Sequence, residues 1–433
     1  MILPLLAALQ IAAAQDTTRD TMPVVTLADA LQKAARLDPS YVSAAGQVSN
    51  AEWTRAAAFA VFIVPSVTVA ANKTHYWPPF FNFATFTPVP NTYAATIDLH
   101  LDVFTGGQKL AGLTSSGAGL ESAHAGELQA RLTTAMNTES DFYSVLAQRA
   151  LERVAEDQQR RAEQQFTVAR ARVTSGAAVQ TDSLQLLLEL AQARVTLLQQ
   201  QSALRAAQLQ LGRRIGLAGP ADAAPVLDDS TTMRVLPFTV SDAVARALAQ
   251  GPAWRMARAN ERAASAEVWA RRGDYLPHVS LDFSGGAFDT KFYPKLIKRS
   301  SLSLTVSFPL WDNGQREIRL SQARVNRDVA RAIRSDLERS VWHDVTVAYD
   351  AYETSRATVA LEQSAVLVAR ENNRVQETRY RAGATTILDL LQAQNRLVSA
   401  EADLVQALYT TRRARAGLEV ILGERITFDQ GPQ

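Results

Sequence analysis

The chain contains its own pattern twice. Val173-Thr174-Ser175-Gly176-Ala177-Ala178-Val179-Gln180-Thr181-Asp182 and Tyr380-Arg381-Ala382-Gly383-Ala384-Thr385-Thr386-Ile387-Leu388-Asp389 align at a constant offset of 207 positions. The same offset pairs Leu211 with Leu418 and Gly216 with Gly423. Nearer the start, Pro39 pairs with Pro252 at an offset of 213, so the first repeat is six residues longer in between. A repeat of about half the chain specifies one internally doubled unit rather than an array of small modules. The expected division is a leader over 1–14, a first repeat over 15–217, a linker over 218–238, a second repeat over 239–423 and a tail over 424–433.

Each half carries the same series of elements. Met1 to Ala14 has the apolar stretch and small-residue end of a signal peptide, although no Lys or Arg precedes it. Thr26 and Thr239 stand as N-caps before short helices that stop at Pro39 and Pro252. A second helix follows in each half, roughly 40–62 and 253–275, and ends near Pro65 or Pro277. The period then switches to two, which signals strands, at about 66–73, 92–103, 278–285 and 301–309. The longest helical stretches come next, roughly 107–173 and 314–381, and neither holds a proline. Gly176 and Gly383 suit the left-handed turn that ends such a helix. On the returning helices, Leu184, Leu188, Ala191, Val195, Leu198 and Ser202 step at heptad spacing, as do their twins Leu391, Asn395, Val398, Ala402, Val405 and Tyr409. A second stripe, Leu390, Leu397 and Leu404, predicts a neighbour on each side of the last helix, as in a closed tube. A soluble antiparallel bundle is the plainer alternative.

The strands have one apolar and one polar face. Leu302, Leu304, Val306 and Phe308 alternate with Ser301, Ser303, Thr305 and Ser307, and Ile97, Leu99 and Leu101 alternate with Asp98, His100 and Asp102. A soluble sandwich sheet fits this pattern, and so does a membrane barrel with lipid outside and water inside. Four strands are too few to close a barrel, since about eight is the smallest known, and lipid does not tolerate open edges. Spanning strands therefore require a barrel shared between chains, and three chains would supply twelve strands. The segment 73–91, with Tyr76, Trp77, Phe80, Phe81, Phe83 and Phe86, is expected to be a loop, either at the membrane interface or packed on itself. Lys291, Lys295, Lys298 and Arg299 are expected in the loop of the second hairpin, facing headgroups or water.

No nucleotide, metalloprotease or hydrolase motif is present, so no enzymatic function and no cofactor are expected. Cysteine is absent, and a net charge of +2 gives no argument for nucleic acid. The five histidines are not at metal-ligand spacing, and Asp98, His100 and Asp102 read as lumen-lining residues rather than a cation site.

Together, Tyr380-x-x-Gly383 with Asp389-Leu390-Leu391-x-Ala393-Gln394, Tyr275-Leu276-Pro277 entering a strand, and Pro309-Leu310-Trp311-Asp312-Asn313-Gly314 leaving one resemble the TolC-like outer-membrane channels, the outer membrane efflux proteins. The resemblance runs over nearly the whole chain. It implies a mainly α fold with a small β part. Long antiparallel helices would form a periplasmic α-barrel, and four strands per chain would join a shared twelve-stranded barrel in outer-membrane lipid. It also implies a homotrimer that docks with a periplasmic adaptor (membrane fusion) protein and an inner-membrane pump, as the exit duct of an efflux or type I secretion system. By position, Asp389 corresponds to a carboxylate lining the narrow periplasmic entrance, and Tyr380 to a tyrosine that closes it by hydrogen bonds. Thr181 and Asp182 correspond to gate-region residues of the first repeat. Ser175, Gly176, Ala177, Ala382, Gly383 and Ala384 would meet the adaptor, and Ser303 and Thr305 would join Asp98, His100 and Asp102 on the lumen wall. Thr385 stands where family members can carry Arg, and Gln392 where they can carry a second Asp, which implies a weaker closing network. Helix capping is the simpler role for Asp389 and Asp182. A soluble periplasmic coiled-coil adaptor or scaffold is the competing function.

Overall fold

Two proline-free helices of 67 residues dominate the architecture, each about 100 Å long at 1.5 Å per residue. The computed structural model describes residues 22–83, 86–176, 179–226, 234–290 and 297–426. The expected leader, Ala177, Lys291, Lys295 and most of the tail lie outside these residues. The elements run β1 (Val24–Val25), α1 (Leu27–Leu37), α2 (Pro39–Ala60), β2 (Ser66–Asn82), β3 (Thr87–Thr105), α3 (Gln108–Thr174), α4 (Gln180–Arg214), β4 (Asp222–Ala223), α5 (Val240–Gln250), α6 (Pro252–Gly273), β5 (His278–Asp289), β6 (Ile297–Ser307), α7 (Gln315–Arg381) and α8 (Ile387–Leu422). The pairing of β1 with β4 is parallel and was not legible as strand in the sequence.

Sequence-local signals set the helix ends. Thr26 accepts a hydrogen bond from the Asp29 amide, and Thr239 forms a full capping box with Asp242. Gly107 and Gly314 hold left-handed conformations where strand becomes long helix, with φ of 87° and 77°. Buried Val345, Tyr352, Val359, Val366, Asn373 and Tyr380 recur every seventh residue down α7. Ala155, Ala162 and Ala169 do the same near the end of α3. Strict sevens keep one seam facing its partner and impose a left-handed supercoil. Alanine at these positions lets the helices approach closely.

One core occurs twice. Val25, Phe142, Leu211 and Ile215 pack together against α1 in the first half. Phe238, Tyr352, Leu418 and Leu422 do so against α5 in the second. Leu211 and Leu418, twins in sequence, are both fully buried. α3 packs on α2, α4, α6 and α8, and α7 on α5, α6 and α8. The layer therefore begins at α2 and α4 and ends at α7.

The four long strands form one antiparallel sheet in the order β2-β3-β5-β6. Two sequence expectations are corrected here. The stretch 73–91 is not a loop: β2 continues to Asn82 and β3 resumes at Thr87. Pro78, Pro79, Pro88 and Pro90 lie within this extension. Pro88 and Pro90 fit because they lie beyond the last β3–β5 pair, Tyr93 with Asp289, where among the described residues β3 has no second neighbour, and Pro78 and Pro79 fall in the register shift between His75 and Phe80. Lys298 and Arg299 are likewise in β6, paired with Ala287 and Gly286, rather than in a loop.

Sheet and helices meet at a glycine pair. A Cβ on Gly106 would sit 2.3 Å from the Gly273 carbonyl oxygen, whereas one on Gly107 would meet nothing within 4 Å. Both have positive φ. Gly106→Ala should therefore lower the thermal unfolding temperature clearly more than Gly107→Ala, since it adds a backbone clash to a shared strain of about 1–3 kcal/mol. Equal losses would show that the contact does not hold the junction.

Candidate functional site: the helical tips and the polar sheet face

The two helical hairpins end in turns of small residues. Gly176 (φ 76°) and Gly383 (φ 73°) are left-handed, and the Gly383 amide donates to the Tyr380 carbonyl at 3.0 Å. Ser175, Gly176, Ala382, Gly383 and Ala384 are all exposed. Just above the turns, Ala169, Leu186, Tyr380, Ile387 and Leu390 form one buried cluster, with residues from α3, α4, α7 and α8. This cluster ties the two hairpins together.

Tyr380 closes the α7 seam within that cluster. The residue is 5% exposed and its hydroxyl has no hydrogen-bond partner among the described residues. Burial, reinforced by the Asp182 carboxylate, holds the phenol above its ordinary range, with Arg172 acting against them. The resemblance implied an inter-helix hydrogen bond from this tyrosine, and within the chain Tyr380 is held differently. Arg172, from the other hairpin, lies over the ring at 5.3 Å and donates from Nη1 to the Tyr380 carbonyl at 3.0 Å. A cation on the last carbonyls of a helix is also favoured by the helix dipole. Arg172 was not identified from the sequence. Its signal was present, because its twin at the 207 offset is Arg379, which instead bonds its own turn at the Ala384 carbonyl.

The paired acids differ although their positions match. Asp389 is exposed and bound into a capping box, and its Oδ2 accepts from Thr386 Oγ1 at 2.7 Å, Thr385 Oγ1 at 2.9 Å and the Thr386 amide at 3.2 Å. Hydrogen bonds from the Thr386 and Thr385 side chains, then the Thr386 amide, hold its carboxyl below the usual carboxylate range. The folded pKa is lowered, so the cap's stabilisation is complete above the unfolded value of about 3.9 and is lost as pH falls through the lowered one. In the first hairpin the N-cap is Val179, which has no side-chain oxygen. Asp182 is therefore uncapped, half-buried and close enough to act on Tyr380. Thr181 is exposed in the first turn of α4.

The sheet register places every predicted lumen residue on one face. Asp98 is opposite Ser284, His100 opposite Asp282, and Asp102 and Thr305 both opposite Ser280, while Ser303 is opposite Asp282. His100 Nδ1 lies 2.6 Å from Asp282 Oδ1 and its Nε2 3.3 Å from Asp102 Oδ1. Asp282 was not singled out earlier, although it sits at a polar step of the His278–Ser284 alternation. Among the described residues, no cluster of three or more such groups could hold a metal ion. The opposite face is apolar from Val279 to Ala287 along β5, about 27 Å of strand or about 21 Å once tilted by about 40°. That is close to the apolar band of about 25 Å that outer-membrane barrels present to lipid. Phe308, Leu310 and Trp311 lie exposed just past its lower end. No helix among the described residues is long and apolar enough to cross a membrane.

Comparison with known proteins decides the family. The profile described as "Outer membrane efflux protein" matches residues 27–217 and 243–424. The chain belongs to the outer membrane efflux protein family. It is 30% identical over 207 residues to the outer membrane efflux protein BepC of Brucella suis, covering 47% of this chain and 45% of BepC. It is 26% identical over 286 residues to the alkaline protease secretion protein AprF of Pseudomonas aeruginosa, covering 65% of this chain and 59% of AprF. The chain thus spans about half the length of the curated relatives it matches. The outer membrane protein VceC of Vibrio cholerae superposes with a TM-score of 0.77 at 17% identity, over 93% of this chain and 97% of VceC. This likeness establishes the fold: long helices joined to strands. Family membership places the efflux protein in the outer membrane, with its helices extending into the periplasm, and makes it a channel-family protein rather than a member of an enzyme family.

Proposed function

We propose that three copies of this chain form an exit duct. A shared twelve-stranded barrel in outer-membrane lipid opens into a tube of helices, which passes small molecules or polypeptides outward unchanged from an inner-membrane pump docked through a periplasmic adaptor. The observation that carries this reading is that the chain is open on both flanks, in both layers. Among the described residues, β2 and β6 are the edges of the sheet. On α4, Leu184, Leu188, Val195 and Leu198 are 57%, 60%, 54% and 65% exposed. On α7, at the far side of the layer, Leu361, Val368 and Val375 recur every seventh residue and are 70%, 70% and 38% exposed. Two different apolar seams on opposite flanks make a head-to-tail interface, which closes as a ring. Two chains would give eight strands, whose interior fills with side chains, whereas twelve leave a lumen. The soluble adaptor reading is disfavoured by Leu302, Leu304 and Val306, which are 68%, 65% and 63% exposed on one face of the sheet.

In this reading the turns carrying Ser175, Gly176, Ala382, Gly383 and Ala384, together with Ala177, receive the adaptor. Asp389, Tyr380, Asp182 and Thr181 surround the periplasmic entrance, where three Asp389 carboxylates focus cations. Single-channel recording in planar bilayers tests this. Asp389→Ala should shift the reversal potential away from cation preference. Thr386→Val, which removes a cap hydroxyl but keeps the charge, should leave it in place. If both variants keep the parent selectivity, the ring has no role; if the protein gives no channel current at all, the duct reading is lost.

A further inference from the structure

We propose that Arg396 is a second selectivity-determining residue of the duct: with its two copies it forms a cationic ring behind the acidic entrance and limits the preference for cations set there. The inference deepens the trimeric duct reading and rests on it. Its ground is the open face of α8. Asp389, Arg396, Asp403 and Thr410 recur every seventh residue and are exposed. Leu390, one residue along, is buried in the tip cluster, and Leu418 and Leu422 are buried in the core that packs on α5. A helix added to the inner side of a tube would obstruct it, so α5 marks the outer side. Thr410 and Arg413, exposed near the level of that core, turn away from it and face the lumen.

Charge along this face changes sign at Arg396. Asp389 precedes it by seven residues, and Asp403 follows it by seven and shares an open groove with Glu362 of α7. Nearby arginines are tied down, Arg370 to Glu401, Arg374 to Glu371, Arg379 to the Ala384 carbonyl and Arg381 to Glu377. Among the described residues no hydrogen bond or ion pair holds Arg396, so its guanidinium is presented to the lumen. The two repeats also part company here. At the 207 offset Asp389 matches Asp182, but Arg396 matches Glu189. Glu189 is half-buried on α4, and α3 lies between α4 and α8. The Asp389 and Arg396 rings are about 10.5 Å apart along the helix, at 1.5 Å per residue. That is about one Debye length at 0.1 M salt, so an ion that has passed Asp389 meets Arg396 as a separate field. Without Arg396, this face of α8 would carry only carboxylates as charges from Asp389 to Asp403.

Reversal potentials across a salt gradient in planar bilayers test this, with particles whose mass is that of three chains. Arg396→Gln should raise the cation-to-anion permeability ratio at least about twofold at about 0.1 M salt, the opposite sign to Asp389→Ala. Arg396→Lys, which keeps the charge, should restore the parent ratio. The gain in Arg396→Gln should fade at about 1 M salt, where the Debye length falls to about 3 Å. A change of tunnel shape would persist there. An unchanged ratio in Arg396→Gln, or an equal change in Arg396→Gln and Arg396→Lys, overturns the Arg396 ring and leaves the duct standing as long as the parent conducts. A parent that gives no current overturns the duct itself.

Discussion

Leu302→Arg is expected to abolish assembly of the particle, whereas Ser303→Arg, one residue along, is expected to leave it intact. Leu302 is paired with Phe283 near the middle of the apolar face and is 68% exposed in the isolated chain. A lipid-facing arginine at the midplane of an outer-membrane barrel costs about 2–4 kcal/mol, so in the proposed trimer three copies would cost about 6–12 kcal/mol per particle. That is comparable to the whole stability of many domains, about 5–15 kcal/mol. Ser303 points to the opposite face, opposite Asp282, where a cation meets water and carboxylates. Outer-membrane fractions probed for the assembled species read out both variants. If both assemble equally, the assigned lipid face is wrong.

Arg172→Ala should release the tips. The guanidinium hydrogen bond to the Tyr380 carbonyl is charge-assisted, worth about 1.5–3 kcal/mol, and its contact with the ring adds about 0.5–1 kcal/mol. After a discount for partial exposure this is about 2 kcal/mol per chain, or about 6 kcal/mol if the three tips of the proposed trimer open together. A bias of about 5.5 kcal/mol carries a two-state equilibrium from 1:99 to 99:1. The variant should therefore show larger and more persistent open currents in planar bilayers, with Arg172→Lys intermediate. Lysine keeps the charge but loses the planar stacking and forked donation. Conductance identical to the parent in Arg172→Ala would show that the contact does not hold the entrance shut.

How much the sequence revealed depends on whether a feature was local. Helix ends were legible because Thr26, Thr239, Gly176 and Gly383 act on their own turns. The two sheet faces were legible because alternation is a property of each strand alone. The extension of β2 and β3 was hidden by four prolines, whose tolerance depends on where the β3–β5 pairing ends and on the register shift between His75 and Phe80. Heptad spacing identified Leu184, Leu188, Val195 and Leu198 as a seam, but spacing cannot say whether the partner is in the same chain. In the structure these residues are exposed, while Leu186, Leu190 and Ala193 face α3 and its neighbours. At the tips, Asp389 and Asp182 looked like twins. One residue at the cap, Thr386 against Val179, makes one a cap and leaves the other facing Tyr380. Arg172 was marked by its twin Arg379, but its role was hidden because its partner, the Tyr380 carbonyl, lies on the other hairpin.

The central claim is that neither the sheet nor the helical layer is complete in one chain. Light scattering of the membrane-extracted, detergent-solubilised particle, with the detergent mass subtracted, tests it most directly. The account predicts three chains per particle. A monomer that stays soluble without detergent would contradict it, because the apolar sheet face and the α4 and α7 seams would then have no partners to bury them.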